Sequence, residues 1–294
     1  MTEVPGVVVP PAWLRRHLSA PDLRCCDVRW TLAGGAQHRA YAEGHLPGAV
    51  FIDLDRELAG PPGPGGRHPL PDPAVFAAAM RRAGAHPDTT IVAYDAGTGA
   101  AARLWWLLRA AGHQRVAVLD GGFPGWVAAG GTVTAVVPDP APGTLPVAGF
   151  AGTVDAATTG ARAGAGVPVL DGRAPERYQG LVEPIDPRAG HIPGARNLPW
   201  TDLCQEGRLR PPAELRARFA ACGLPAAAHL PPAVAYCGSG VTASALLLAM
   251  AHAGLPDGDL YPGSWSEWSQ DPDRPAATAA DPIGRAGAAP PPTR

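Results

Sequence analysis

The residue best placed for chemistry is Cys237, which opens a glycine-rich loop, Cys237 to Ala243, between a short apolar run (Ala233–Tyr236) and a helical pattern. Such a loop, after a buried strand and before a helix, presents backbone N–H groups and the positive end of the helix dipole. Both favour the thiolate, which is the nucleophilic form of a cysteine. Gly238 and Gly240 let the backbone curl around the sulfur. We interpret Cys237 as a nucleophile whose loop could also hold a persulfide sulfur.

The hydroxyls of Ser239 and Thr242 are further candidate donors to the sulfur. A buried, inert cysteine is one alternative, and the Gly-flanked loop before a helix, together with Asp95 at the corresponding position of the chain's first half, argues against it. A phosphatase of similar architecture needs an Arg six residues after the cysteine, and this chain has Ala243 there. A thiol redox switch lacks a second cysteine near Cys237 in the sequence, although a distant one in the fold would serve.

The chain repeats itself, which indicates two copies of one module. Four motifs recur in the same order at offsets of 141 to 146: Gly44 to Ala49 with Gly190 to Ala195, Asp27 to Arg29 with Asp171 to Arg173, Val92 to Tyr94 with Val234 to Tyr236, and Leu119 and Trp126 with Leu260 and Trp268. At this offset Cys237 corresponds to Asp95, so only the second copy carries the nucleophile.

Strand-like and helix-like patterns alternate within each copy. Thr90–Tyr94 is typical of a buried strand, while Pro73 to Arg82, Ala100 to Ala111 and Ala213 to Ala221 are amphipathic. This alternation predicts an α/β fold of two tandem modules, each a mostly parallel sheet with helices on both faces. We expect a non-catalytic domain over residues 1–136, a linker over 137–150, a catalytic domain over 151–280 and a disordered tail over 281–294.

Composition limits the function classes. All 24 cationic residues are Arg, so lysine-dependent Schiff-base and phosphate-loop chemistries are excluded. The net charge of −2 gives no basic footprint for nucleic acid. The chain has five cysteines with no C-x-x-C pair, no signal-peptide pattern and no apolar run long enough to cross a membrane. These features favour a cytoplasmic protein that binds no membrane.

These motifs together resemble the two-domain rhodanese family. The Cys237 loop is similar to the active loop of 3-mercaptopyruvate sulfurtransferases, Leu170 to Gly180 with Gly190 to Ala195 resembles the start of a catalytic rhodanese module, and Tyr261 to Trp268 resembles the C-terminal motif. The resemblance covers residues 8 to 278. It implies an inactive first module and a sulfurtransferase that carries sulfur on Cys237, without metal or organic cofactor.

The resemblance also implies the roles of individual residues. Arg177 matches the family's Arg for the substrate anion, and a guanidinium can hold a carboxylate through two hydrogen bonds. The other residues implied in donor binding are Gly238, Ser239, Gly240, Val241 and Thr242. The sequence departs from the mercaptopyruvate pattern at Asp186, where a second Arg is expected nine residues after the first, and Arg188 is a possible substitute.

The expected donor is a small anion, with mercaptopyruvate preferred over thiosulfate because the loop lacks cationic side chains. The acceptor would be cyanide, a low-molecular-weight thiol or thioredoxin. Thiosulfate:cyanide transfer as the main activity, and a non-catalytic scaffold that binds a partner protein, stay open as alternatives. His45 and His191 occur in both copies, so we interpret them as turn residues rather than catalytic bases, and the paired Asp27–Arg29 and Asp171–Arg173 as structural.

Overall fold

Two parallel sheets follow one another along the chain in the computed structural model, which describes residues 2–224 and 231–279. The first module contains, in chain order, β1 (Val8–Val9), α1 (Pro11–His17), β2 (Leu23–Asp27), β3 (Trp30–Thr31), β4 (Gly35–Ala36), α2 (His38–Glu43), β5 (Val50–Phe51), α3 (Leu54–Glu57), α4 (Pro73–Arg82), β6 (Thr90–Tyr94), α5 (Ala101–Ala110), β7 (Val116–Leu119) and α6 (Gly122–Ala128).

The second module has a similar alternation of helices and strands. It contains α7 (Ala156–Gly164), β8 (Val169–Asp171), α8 (Pro175–Tyr178), β9 (Arg196–Asn197), a 3₁₀ helix (Trp200–Leu203), β10 (Cys204–Gln205), β11 (Arg208–Leu209), α9 (Pro212–Ala221), β12 (Val234–Tyr236), α10 (Val241–His252), β13 (Asp259–Leu260) and α11 (Ser264–Trp268).

Both main sheets are parallel, which confirms the predicted fold class. The strand order is β1-β7-β6-β2-β5 in the first module and β13-β12-β8-β9 in the second. The predicted strand Thr90–Tyr94 and the predicted helix Pro73–Arg82 have the predicted bounds. Residues 137–150 contain no helix or strand, and the tail predicted for 281–294 lies outside the described residues.

The two modules share one apolar core. Helix α10 is apolar around its whole circumference, as expected of a helix that is buried on every side. It packs against α5 of the first module, and a single cluster of buried side chains runs from Cys26 and Trp105 to Leu246 and Cys237. Because α5 and α10 both follow strand-end loops, the loops of the two modules come to lie close to the interface.

Within the described ranges, none of the helices has the length and apolar character needed to cross a membrane.

Candidate active site

Cys237 lies directly after β12 and before α10, as the sequence predicts, and it is 2% exposed. Its sulfur accepts a hydrogen bond from the Gly240 N–H at 3.2 Å. Gly240 has φ +81°, and a Cβ there would lie 2.6 Å from the Pro262 carbonyl oxygen, so a side chain is not accommodated. An N–H at the start of a helix stabilises negative charge on the sulfur.

Helix α11 fixes the loop from the other side. The Ser264 hydroxyl oxygen accepts from the Cys237 N–H at 3.1 Å. The N–H groups of Trp265 and Ser266 donate to the carbonyl oxygens of Cys237 and Gly238, each at 2.9 Å. The C-terminal motif noted in the sequence therefore positions the nucleophile loop.

The corresponding loop of the first module shows what such a loop binds. The Asp95 carboxylate accepts hydrogen bonds from the Gly97 N–H at 2.7 Å and the Ala101 N–H at 2.9 Å. A carboxyl group thus occupies the position of the cysteine; burial raises its pKa, and the hydrogen bonds from the loop N–H groups oppose this effect. The Asp95 side chain therefore fills the loop of the first module.

The other four cysteines are in environments that disfavour the thiolate. Burial raises the pKa of Cys25 and Cys222, and it raises the pKa of Cys26 and Cys204 to about 12. None of the four follows a strand as the first residue of a glycine-rich loop. All five cysteines are free thiols.

Arg177 lies beside the Cys237 loop, as the resemblance implies. Its guanidinium donates to Glu183 from Nε at 3.2 Å and from Nη2 at 2.7 Å, and Nη2 also donates to Asp186 at 2.9 Å. A Cβ built on Gly238 would lie 3.4 Å from Arg177 Nη1, so the absent side chain leaves room for this group.

A second guanidinium reaches the same place from the first module. Arg67 donates to the Asp186 carboxylate through Nη1, and its Nη2 lies 2.9 Å from the Cβ position of Gly238. Burial raises the pKa of Asp186, while the neighbouring Arg67 and Arg177 oppose this effect. Arg67 is not among the residues predicted from the sequence.

His68, also from the first module, is paired with the loop serine. Its Nδ1 lies 2.7 Å from the Ser239 hydroxyl oxygen, and its Nε2 lies 3.4 Å from an Asp55 carboxylate oxygen. Burial, assisted by Arg103 and Arg67 and opposed by Asp55, lowers the pKa of His68 to about 4. The imidazole is therefore neutral at pH 7, and it can exchange a proton with the hydroxyl.

Arg103 of α5 holds the backbone around His68. It is fully buried, and it donates to the carbonyl oxygens of Leu58 at 3.2 Å, His68 at 3.1 Å and Pro69 at 3.3 Å. Burial lowers the pKa of Arg103 to about 10, so the guanidinium stays charged at neutral pH. It places a positive charge in the interior between the two modules.

The loop hydroxyls that were expected to donate hydrogen bonds to the Cys237 sulfur are arranged differently. Neither Ser239 nor Thr242 makes a hydrogen bond to the Cys237 sulfur among the described residues, because the Ser239 hydroxyl is turned to His68. Val241 is buried at the first turn of α10. Of the five predicted loop residues, Gly238 lies beside the guanidinium groups of Arg67 and Arg177, Ser239 contacts His68, and Gly240 contacts the Cys237 sulfur.

Arg188 does not take the place of the missing second arginine. Its guanidinium donates to five carbonyl oxygens that follow or end α11: those of Trp268, Ser269, Asp271, Pro272 and Arg274. The planar set of donors on the Arg188 guanidinium thus holds the end of α11 and the segment that follows it.

The paired motifs are structural, as interpreted from their presence in both copies. His45 and His191 each bond through Nδ1 to a carbonyl oxygen at 2.8 Å, and each stacks on a tyrosine. Arg29 bonds to Asp27 and Arg173 to Asp171, with an Nη2 to Oδ2 distance of 2.7 Å in both pairs.

A signal for the missed residues exists in the sequence. Arg67 and His68 follow a Gly- and Pro-rich segment, Gly60 to Gly66; Gly66-Arg67 recurs in the second copy as Gly207-Arg208, but His68 is matched there by Leu209. A polar residue that only one copy carries is a candidate for a function that the two copies do not share. Asp55 and Arg103 carry no comparable signal.

The chain matches a known family over most of its length. The Rhodanese-like domain family matches residues 10–129 and 155–271. A Pseudomonas aeruginosa protein named as a probable 3-mercaptopyruvate sulfurtransferase is 47% identical over 277 residues, which cover 90% of this chain and 95% of that protein. A Mycobacterium tuberculosis protein, SseB, named for thiosulfate sulfurtransferase activity, is 43% identical over 279 residues, which cover 92% and 96%.

A solved structure has the same fold. The crystal structure of SseA from Escherichia coli, a 3-mercaptopyruvate sulfotransferase by its description, superposes with a TM-score of 0.78 at 34% identity and covers 89% of this chain and 100% of that one.

Proposed function

Since the chain belongs to the rhodanese family and is a sulfurtransferase of the 3-mercaptopyruvate or thiosulfate type, we propose that Cys237 takes sulfur from 3-mercaptopyruvate and passes it to a thiol. The observation that carries this proposal is the Cys237 sulfur itself, which lies at the start of α10 and accepts the Gly240 N–H at 3.2 Å. The same N–H would stabilise a persulfide sulfur.

The reaction has two steps. The Cys237 thiolate attacks the donor sulfur, an S–S bond forms, the C–S bond breaks, and its electron pair leaves as the enolate of pyruvate, which then takes up a proton. An acceptor thiolate next attacks the outer sulfur and restores the Cys237 thiolate. The Ser239 hydroxyl and neutral His68 are placed to meet the charge and the proton of the enolate.

The charge of the site favours a monoanion as donor. Arg67 and Arg177 approach Gly238, and the carboxylates of Glu183 and Asp186 are paired with these guanidinium groups. Two positive charges are thus offset by two negative ones, which suits the single carboxylate of mercaptopyruvate better than dianionic thiosulfate. Thiosulfate remains the second candidate because of the SseB relative.

The acceptor, the location and the domain limits are parts of the same proposal. We propose a low-molecular-weight thiol or thioredoxin as the acceptor. Five free cysteines support a cytoplasmic location, where thiols stay reduced. We place the non-catalytic domain at 1–136, the linker at 137–150 and the catalytic domain at 151–280.

Intact-mass measurement tests the sulfur carrier. Protein incubated with mercaptopyruvate is expected to gain one sulfur atom on Cys237 and to lose it to a reducing thiol. The Cys237→Ser variant is expected to gain none, with unchanged circular dichroism. Sulfur uptake by this variant would refute the assignment, and the ratio of kcat/KM for the two donors decides between mercaptopyruvate and thiosulfate.

A further inference from the structure

We infer that Arg67, which the first module contributes, is the second cation of the donor site, and that Asp186 positions it beside Arg177. This inference rests on the proposed function, and it assigns the carboxylate of the donor to a pair of arginines from two different modules. It also accounts for the one position at which the sequence departs from the mercaptopyruvate pattern.

The Asp186 carboxylate holds the two guanidinium groups side by side. Its Oδ1 accepts from Arg67 Nη1, and its Oδ2 accepts from Arg177 Nη2 at 2.9 Å. The Asp186 side chain is 2% exposed, so this contact is shielded from water. Position 186 therefore does not supply a cation itself, but it fixes one that arrives from the other module.

Each guanidinium keeps one nitrogen directed to the Cys237 loop. Arg67 Nη2 and Arg177 Nη1 lie 2.9 and 3.4 Å from the same point, the Cβ position of Gly238. Within the described residues neither nitrogen has a hydrogen-bond acceptor. A carboxylate bound beside Gly238, within reach of both nitrogens, would receive one charge-assisted hydrogen bond from each arginine.

The backbone of Arg67 is fixed to the element that also fixes the nucleophile loop. The Arg67 N–H donates to the Ser266 hydroxyl at 3.0 Å, and the Ser266 N–H donates to the Gly238 carbonyl at 2.9 Å. Gly66 has φ +100°, and a Cβ there would lie 2.7 Å from the Gly263 carbonyl oxygen. This glycine permits the close approach of the two segments that brings Arg67 beside the loop.

A pair of alkylating agents measures anion recognition at Cys237 without turnover. Iodoacetate and iodoacetamide carry the same electrophile and differ by one carboxylate, so the ratio of their second-order rates reports the cations near the sulfur. Arg67→Gln is expected to lower this ratio, and kcat/KM for mercaptopyruvate, by about tenfold to a hundredfold, which is typical of losing a hydrogen bond to a charged group.

The matched control is Arg208→Gln. Arg208 also joins the modules through an ion pair, with Asp120 at 3.0 Å, but it does not contact the Cys237 loop. Both readouts are expected to stay at wild-type values in this control. An unchanged alkylation ratio in Arg67→Gln would overturn the inference. A lowered ratio in a protein that does not use mercaptopyruvate would contradict the proposed function and leave the role of Arg67 supported.

Exchanging the two charges covers the case in which Arg67→Gln does not fold. Arg67→Asp combined with Asp186→Arg keeps an ion pair between the modules and returns a cation to position 186. The double variant is expected to have an alkylation ratio at least about tenfold above that of Arg67→Asp alone. A double variant that melts at the wild-type temperature but does not regain the ratio would refute the inference.

Discussion

Acidification should destabilise this protein through His68, because the folded state holds this imidazole neutral. Its side chain is 14% exposed and lies against Asp55 and the Ser239 hydroxyl, and its pKa is lowered from 6.5 to about 4, mainly by burial. The unfolded chain takes up a proton on His68 near pH 6.5, whereas the folded chain takes it up only near pH 4. Folding stability therefore rises with pH through this window and is lost as the pH falls.

The size of the effect follows from the shift. Each unit of pKa difference corresponds to about 1.4 kcal/mol, so the contribution between pH 6.5 and 4 is at most about 3 kcal/mol. His68→Asn removes the titrating group and keeps a polar side chain of similar reach. As the pH falls from 6.5 to 4, the free energy of unfolding should decrease more in the wild type than in the variant, and the difference should reach at most about 3 kcal/mol.

Urea unfolding at pH values from 4.5 to 8 measures this difference, with tryptophan fluorescence and circular dichroism followed together. Carboxyl groups with raised pKa, such as Asp95 and Asp186, contribute equally to both proteins and cancel. His38→Asn is the control for replacing a histidine away from the Cys237 loop; its side chain is 62% exposed. Parallel curves for the wild type and His68→Asn would show that the folded state does not disfavour the charged imidazole.

Three further substitutions test other parts of the site. Asp95→Cys in a Cys237→Ser background is expected to take up no sulfur by intact mass, since no arginine pair in the described part of the chain faces that loop; a persulfide there would contradict this view of the first module. Arg103→Leu removes the donor to the carbonyl oxygens of Leu58 and His68, while that of Pro69 keeps the Gly60 N–H, so the midpoint of urea unfolding should fall by an amount equivalent to about 3 kcal/mol, and an unchanged midpoint would argue against its role. Replacing Gly238 and Ser239 by Arg and Lys adds two positive charges and should move the kcat/KM ratio toward thiosulfate; a ratio that does not move would mean that the loop does not set donor choice.

Local patterns predicted the architecture of this chain well. The strand Thr90–Tyr94 and the helix Pro73–Arg82 could be read from apolar periodicity, and the repeat offset placed Cys237 at the end of a strand opposite Asp95. The catalytic loop was predictable for the same reason, because strand, glycines and helix are adjacent in the sequence. Duplication also identified the structural pairs, since a motif present in both copies cannot explain a function that only one copy has.

The surroundings of Cys237 were decided by the tertiary structure. Arg67 contacts Asp186 across 119 positions of the chain, and His68 contacts Ser239 across 171, so neither contact leaves a periodic signal in the sequence. The choice between Arg188 and Arg67 as the second cation also required the structure, in which Arg188 donates to backbone carbonyl oxygens and Arg67 to the Asp186 carboxylate. The sequence determined the nucleophile because its loop is a local structure, whereas the groups that recognise the donor come from two modules and exist as a site only after α5 and α10 have packed together.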